Sequence, residues 1–221
     1  MSRHPARPTA SDEPTTPGGG PGRFPGFDVL AQRRHWDPLT TGVVLSRVGM
    51  APDIRFFTPA EQAAATALCG QLLDQHGDAK VPVVNLIDAR LAERQTDGWH
   101  YHDMPEDSQA WRDTLAALDS DAKDRHGTGF AACTDKEQAT LIQAVQDLGA
   151  GTWHGLPAKQ VWSLWTRYAC TAFYSHPRAW NEMGFPGPAY PRGYKNPGVD
   201  AREPFEVRDA RPAADPARGQ Q

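Results

Sequence analysis

The chain has 221 residues, with 23 Lys and Arg against 27 Asp and Glu and a formal net charge of −4. That length suffices for one domain with its own core. Mild acidity without a Lys/Arg cluster leaves no electrostatic footprint for nucleic acid. No apolar run approaches ~18 residues, which excludes a membrane-spanning helix and direct membrane insertion.

Residues 1–26 read as a disordered arm, because the first 22 hold five Pro and four Gly and almost nothing to bury. The arm has no apolar core and so is not a secretory signal. Arg33-Arg34 resembles a twin-arginine export mark, but His-Trp-Asp-Pro follows where that route needs an apolar run. Phe27 to Val48 is the first stretch able to pack. Val43, Val44, Leu45 and Val48 suggest a short helix after Pro38 with Trp36 as an anchor, although helix and strand both fit so short a β-branched run.

From Thr58 the signals sharpen. Thr58-Pro59-Ala60-Glu61 is a capping box with proline at the first helical position. Ala64, Ala67, Leu68 and Leu72 follow at helical spacing, with Gly77 as a stop. A second helix opens at Pro82, carries Val84, Ile87 and Leu91, and is expected to end by Gly98. Asp107 or Ser108 should cap the next, whose buried face is Trp111, Leu115, Leu118 and Ala122, with Gly127 after it. Thr134 and Glu137 repeat the capping box ahead of Leu141, Val145 and Leu148, and Gly149-Ala-Gly151 ends that helix. Pro157 opens the last helix, with Val161, Leu164, Trp165, Tyr168 and Ala172 inward and Trp162 and Phe173 nearby. The fold class is all-α: a single small helical domain of about five helices over residues 27–194. An ordered Pro/Gly/aromatic C-terminal loop belongs to it, both termini are disordered, and residues 195–221 form an extended or disordered tail.

That loop is Tyr174 to Tyr194, in which 12 of 21 residues are Pro, Gly or aromatic. Its four prolines and three glycines rule out a long helix or central strand. Five rings are nevertheless spent on it, so it presses against something. Composition fits two roles equally: a lid folded over the chain's own core, or an interface presenting rigid rings to a partner.

No catalytic constellation accompanies it. G-x-G-x-x-G, Walker and G-x-S-x-G motifs are missing, so nucleotide and esterase chemistry lack their cradles. No C-x-x-C-H exists to attach haem. Cys69, Cys133 and Cys170 are far apart and read as three small buried side chains, the alternative being one bridge to a partner subunit. His100, His102 and Asp103 could chelate only if the backbone bent suitably and a third ligand joined them. His176 and Glu182 could do acid–base work, but a His flanked by Tyr, Ser and Pro reads more simply as structural. No catalytic, cofactor-binding or metal residue is therefore assigned. A stand-alone helical metal protein or enzyme on His100, His102, Asp103 or His176 is the alternative reading, and a general interaction protein without a redox partner is another.

The run Tyr174-Ser-His-Pro-Arg-Ala-Trp180-Asn-Glu-Met-Gly184-Phe-Pro-Gly-Pro188-Ala-Tyr190-Pro-Arg-Gly193-Tyr194 resembles the C-terminal signature of the gluconate 2-dehydrogenase subunit 3 family. Upstream, Phe57-Thr-Pro-Ala-Glu-Gln62, Asn85 to Leu91, Trp111 to Asp119 and Gly129 to Gln138 are similar to its helices, so the resemblance spans about residues 54–194. It implies a small non-catalytic accessory subunit that supports folding, stability or maturation of a large FAD-dependent dehydrogenase subunit of the glucose–methanol–choline type. Such complexes often include a cytochrome c subunit. The resemblance implies FAD on the partner and no cofactor on this chain, and it tilts the loop toward the interface role. The partner contacts expected are Tyr174, His176, Trp180, Asn181, Phe185, Pro188, Tyr190, Pro191, Arg192 and Tyr194. Trp180, Phe185, Tyr190 and Tyr194 would fill pockets, while His176 and Arg192 would make directional polar contacts. Many relatives begin with a twin-arginine signal. This chain departs from them, so the expectation is cytoplasmic, or periplasmic if the partner carries the signal.

Overall fold

The structure, a computed structural model, describes residues 24–75, 81–99, 101–199 and 201–210. The expected arm up to residue 23, the stop at Gly77, His100 and the tail beyond residue 210 lie outside the described residues. The described chain is all-α apart from one two-stranded hairpin. It groups into two compact units: a core unit over residues 51–173, and a terminal unit made from residues up to 50 together with those from 174 onward. The expected helical domain over 27–194 is thus apportioned between them. The terminal unit also takes in the first part of the expected tail.

In the core unit, α2 (Pro59–Leu73) begins at the capping box. Thr58 Oγ1 accepts the Glu61 N–H at 3.3 Å, and Glu61 Oε2 accepts the Thr58 N–H at 2.8 Å. Arg112 grips both Glu61 oxygens at 2.7 and 2.8 Å. The next helix, α3 (Val83–Ala92), buries Val84, Ile87 and Leu91 as its spacing predicts. It stops well short of Gly98. Arg94 takes a left-handed φ of 52°, the Gln95 N–H reaches Arg90 O at 2.9 Å and the Arg94 N–H reaches Leu91 O at 3.1 Å. This is a Schellman ending with arginine where glycine is usual, so the sequence carries no flag for it.

α4 (Asp107–His126) places Trp111, Leu115, Leu118 and Ala122 inward. Its N-cap is Glu106 without a side-chain cap bond. Asp107, expected as a cap, is instead the first helical residue, and its carboxylate accepts from Arg167 at 3.0 Å and from the Tyr168 hydroxyl at 2.7 Å. α5 (Asp135–Asp147) starts at the second capping box and buries Leu141 and Val145. Leu148 was expected with them but is the C-cap, past the last turn, and 43% exposed. An unexpected hairpin follows, β1 (Thr152–Trp153) against β2 (Leu156–Pro157), and it is antiparallel with Trp153 opposite Leu156. Pro157 therefore ends a strand, and α6 (Ala158–Tyr174) starts one residue later.

The core is aromatic. Phe57, Trp111 and Tyr168 meet edge to face, as do Trp153 and Trp165, with centroids 5.6–6.0 Å apart. Trp165 also donates to Thr114 Oγ1 at 3.0 Å. Of the cysteines expected to be buried, Cys69 and Cys133 are, and Cys170 is exposed. Cys170 lies two residues from buried Tyr168, about 200° around α6, which turns it outward. Burial pushes the Cys69 thiol up to about 12, so it carries no reactivity at neutral pH.

In the terminal unit, a 3-10 helix (Val29–His35) is capped by Asp28, which accepts the Leu30 N–H at 3.0 Å. α1 (Pro38–Val48) is a helix, capped by Asp37 onto the Thr40 N–H at 2.7 Å. Only Val44 of α1 is buried. Val43 and Leu45, expected to pack with it, are 48% and 37% exposed, since neighbours in a helix point about 100° apart. α7 (Pro177–Met183) is a short helix within the predicted loop, bracketed by proline at its first turn and by Gly184 at φ 71°. Val29, Trp36, Val44 and Trp180 form this unit's small core.

Candidate partner-binding surface

The predicted surface is built on α7 and the chain that follows it. His176 is the N-cap: its Nδ1 accepts the Arg178 N–H at 3.2 Å, and the side chain is buried. Burial, together with the charges of Arg178 and Arg47, holds its pKa below the usual histidine value, so the imidazole is neutral at pH 7. Trp180 is only 5% exposed. Its Nε1–H donates to Tyr174 O at 2.7 Å, and Phe185 meets it edge to face at 5.3 Å. Arg47 ties α1 to this corner by donating to Ser175 O at 2.8 Å, with its guanidinium 5.8 Å from the Trp180 ring. Asn181 is also buried, and its Oδ1 accepts the Val29 N–H at 2.7 Å. This bond joins the 3-10 helix to α7.

Beyond Gly184 the backbone presses close to its neighbours. Gly187 has φ 78°, and a Cβ there would lie 2.5 Å from the Trp36 ring. Only glycine fits. Pro188 is half-buried, Pro191 exposed. Arg192 is half-buried and lies 3.7 Å from the Phe205 ring centroid. Tyr194 also packs on Phe205, at 5.6 Å. Glu203 is buried and accepts the N–H groups of Lys195 and Asn196, so residues 201–207 fold back as a strap over the loop.

The ten predicted contact residues therefore divide. His176, Trp180 and Asn181 point inward and organise the unit. Tyr174, Phe185, Tyr190 and Tyr194 show 50%, 37%, 65% and 52% of their surface. Packed and exposed rings thus alternate within one stretch.

Sequence reasoning missed the exposed apolar residues of α1, where Leu39 is 76% and Met50, just beyond the helix, 97% exposed. The signal was present as Val43-Val44-Leu45, a run too wide for one buried face. It also missed Asp88, fully buried on α3, whose two oxygens accept the N–H groups of Arg55, Phe56 and Phe57 at 2.7–2.9 Å. His102 and Asp103 are exposed, and Asp103 accepts from Gln160 at 3.2 Å. Among the described residues, no group of three His, Cys, Asp or Glu could hold a metal ion. No helix among them is long and apolar enough to cross a membrane.

Residues 59–187, more than half of the chain, match the family model of gluconate 2-dehydrogenase subunit 3. The chain belongs to the gluconate 2-dehydrogenase subunit 3 family. No curated protein and no solved structure matches it. The subunit 3 match runs from the first residue of α2 through all of α7 to Gly187, and so includes the buried framework His176–Asn181. Membership makes the chain an accessory subunit of a dehydrogenase complex. An oxidoreductase's cofactor on another subunit is consistent with that place.

Proposed function

We propose that this chain binds the large FAD-dependent subunit of its dehydrogenase complex through the terminal unit, and so supports that subunit's folding and flavin retention. The observation that carries the reading is an asymmetry of exposed apolar side chains. Of 13 large hydrophobic residues left exposed among the described residues, ten lie in the terminal unit and three in the core unit. Grouped exposed apolar surface marks sites of association, and rigid rings lose little entropy on docking. In complexes that carry a cytochrome c subunit, that subunit would take electrons from the flavin.

The reading places the complex in the cytoplasm. Arg33 and Arg34 form the last turn of a capped 3-10 helix that belongs to the folded unit, which favours a structural role for the pair. Fractionation of cells that produce both subunits would overturn this placement if the pair is recovered from the periplasm.

Co-expression with the large subunit encoded beside this chain tests the function. The Phe185→Ala, Tyr190→Ala double variant should fold normally, yet co-purify with much less flavoprotein, at about 2 kcal/mol lost per hot-spot ring. Flavin absorbance of the large subunit should fall in parallel. Full recovery of the flavin-loaded complex would defeat the proposal.

A further inference from the structure

Three stretches of the terminal unit line an open groove of about 370 Å³. The 3-10 helix supplies Gln32, Arg34 and His35, the loop after α7 supplies Arg192, and the strap supplies Phe205 and Glu206. Two guanidiniums line it, and among the described residues neither has a carboxylate partner. Arg192 donates to Gln32 Oε1 and to Pro186 O, each at 3.1 Å, and its Nε is buried without an acceptor. Arg34 donates its Nε–H to His35 Nε2 at 3.1 Å. Glu206, the only carboxylate among the described lining residues, already accepts the Glu203 N–H at 2.9 Å. Two guanidiniums against one carboxylate leave a single net positive charge.

The core unit holds a natural comparison. Arg167 is also partly buried, but it bridges Asp97 and Asp107. Burial works against its charge, and those two carboxylates outweigh it and raise its pKa. For Arg192 burial dominates, only Tyr194 opposes it, and the pKa is lowered. A partly desolvated guanidinium without a counter-ion is costly, and it gains most from an anion matching its planar fork.

We propose that this groove is a carboxylate-binding site, with Arg192 and Arg34 gripping one carboxylate while Phe205 holds the Arg192 plane in place. The single net charge suits a monocarboxylate better than a phosphate dianion. A guanidinium edge also pairs a carboxylate through two parallel hydrogen bonds. The site stands on this chain's own residues. Only the owner of the carboxylate, a free small acid or an acidic group of the partner subunit, rests on the proposed partnership.

The test begins with the isotope-labelled full chain, titrated with sodium acetate against sodium chloride at matched ionic strength while the backbone amide resonances of residues 32–35 and 205–207, present in every variant, are followed. A saturable shift with acetate alone is expected, weaker by about tenfold or more in Arg192→Gln and in Arg34→Gln, since each removes charge-assisted bonds. Arg192→Lys, which keeps charge but loses the fork, should also bind more weakly and guards against a folding defect in the glutamine variant. Tighter binding of inorganic phosphate than of acetate, or an acetate response unchanged in all three variants, would overturn the assignment, as would no saturable response. The second arm compares wild type and Arg192→Gln for retention of the co-expressed large subunit. Loss of retention assigns the carboxylate to the partner, and unchanged retention alongside the acetate shift assigns it to a free acid. If even wild type retains no flavoprotein, the partner reading falls while the acetate arm still reports on the site.

Discussion

Asp88 shows how much one side chain can fix. Two carboxylate oxygens receive three consecutive N–H groups from residues 55–57, which sets the approach of the chain to the Thr58 cap. Asp88→Asn leaves one acceptor oxygen for three donors. The expected loss is about 2–3 kcal/mol, because hydrogen bonds to charged groups are the costly ones to break, and urea unfolding followed by circular dichroism measures it. Trp180 is the second such residue. Its burial predicts that Trp180→Ala destabilises the terminal unit by about 3–5 kcal/mol, whereas exposed Tyr190→Ala should leave stability within about 0.5 kcal/mol of wild type. The two rings looked alike in sequence. What separates them is that α7 turns Trp180 onto Val29 and Val44, which lie more than 130 positions away and leave no local trace.

Acidic residues set the pH response at the same scale. Asp97 lies between Arg90 and Arg167; burial alone would raise its pKa, and the bonds to the two arginines outweigh it and lower it. Glu61 is likewise lowered against burial by Thr58 and Arg112. A carboxylate depressed in the folded state is matched by an unfolded chain that binds protons first. Their contribution to stability is therefore full above the ordinary carboxylate range, about pH 4, and is lost as the pH falls below it through the folded values. Lowered His176 begins the decline below about pH 6.5, where the unfolded histidine takes its proton first, and urea midpoints should drop more steeply below pH 4, with that steep part shallower in Asp97→Asn.

At the scale of elements, the parts read correctly were those whose signal is local. Both capping boxes, the apolar spacing of α2 to α6 and proline at the start of α1 sit within one or two helical turns of sequence, and each formed. Thr58→Ala or Thr134→Ala should each cost about 1 kcal/mol in thermal or urea unfolding. The failures share a cause as well. The end of α3 rests on Arg94 in a left-handed turn, the start of α4 on an aspartate recruited by Arg167 sixty positions on, and the hairpin on two-residue strands too short to show a period. In the candidate surface, the stretch was legible from its composition. Its division into inward and outward residues was not, because α7's orientation depends on the N-terminal segment.

For the whole molecule, the crowding of exposed apolar side chains onto one unit predicts poor behaviour alone. The isolated chain should self-associate in light scattering at concentrations where its proposed complex with the large subunit remains a single species. Phe185→Ala, Tyr190→Ala should reduce that self-association, since the same surface drives both.

The bond from the Val29 N–H to Asn181 Oδ1 has a consequence for the order of assembly. It spans 152 positions, and the unit it closes needs both the first folded residues and the last. During synthesis the stretch 51–173 has its own core and can settle while the chain is still growing, as units completed early generally do. The Val29 side of the terminal unit must wait, with its apolar residues uncovered, until α7 and the strap have been made. The terminal unit therefore closes after the stretch 51–173 can settle, and its exposed apolar residues take their final arrangement only once Asn181 has been made.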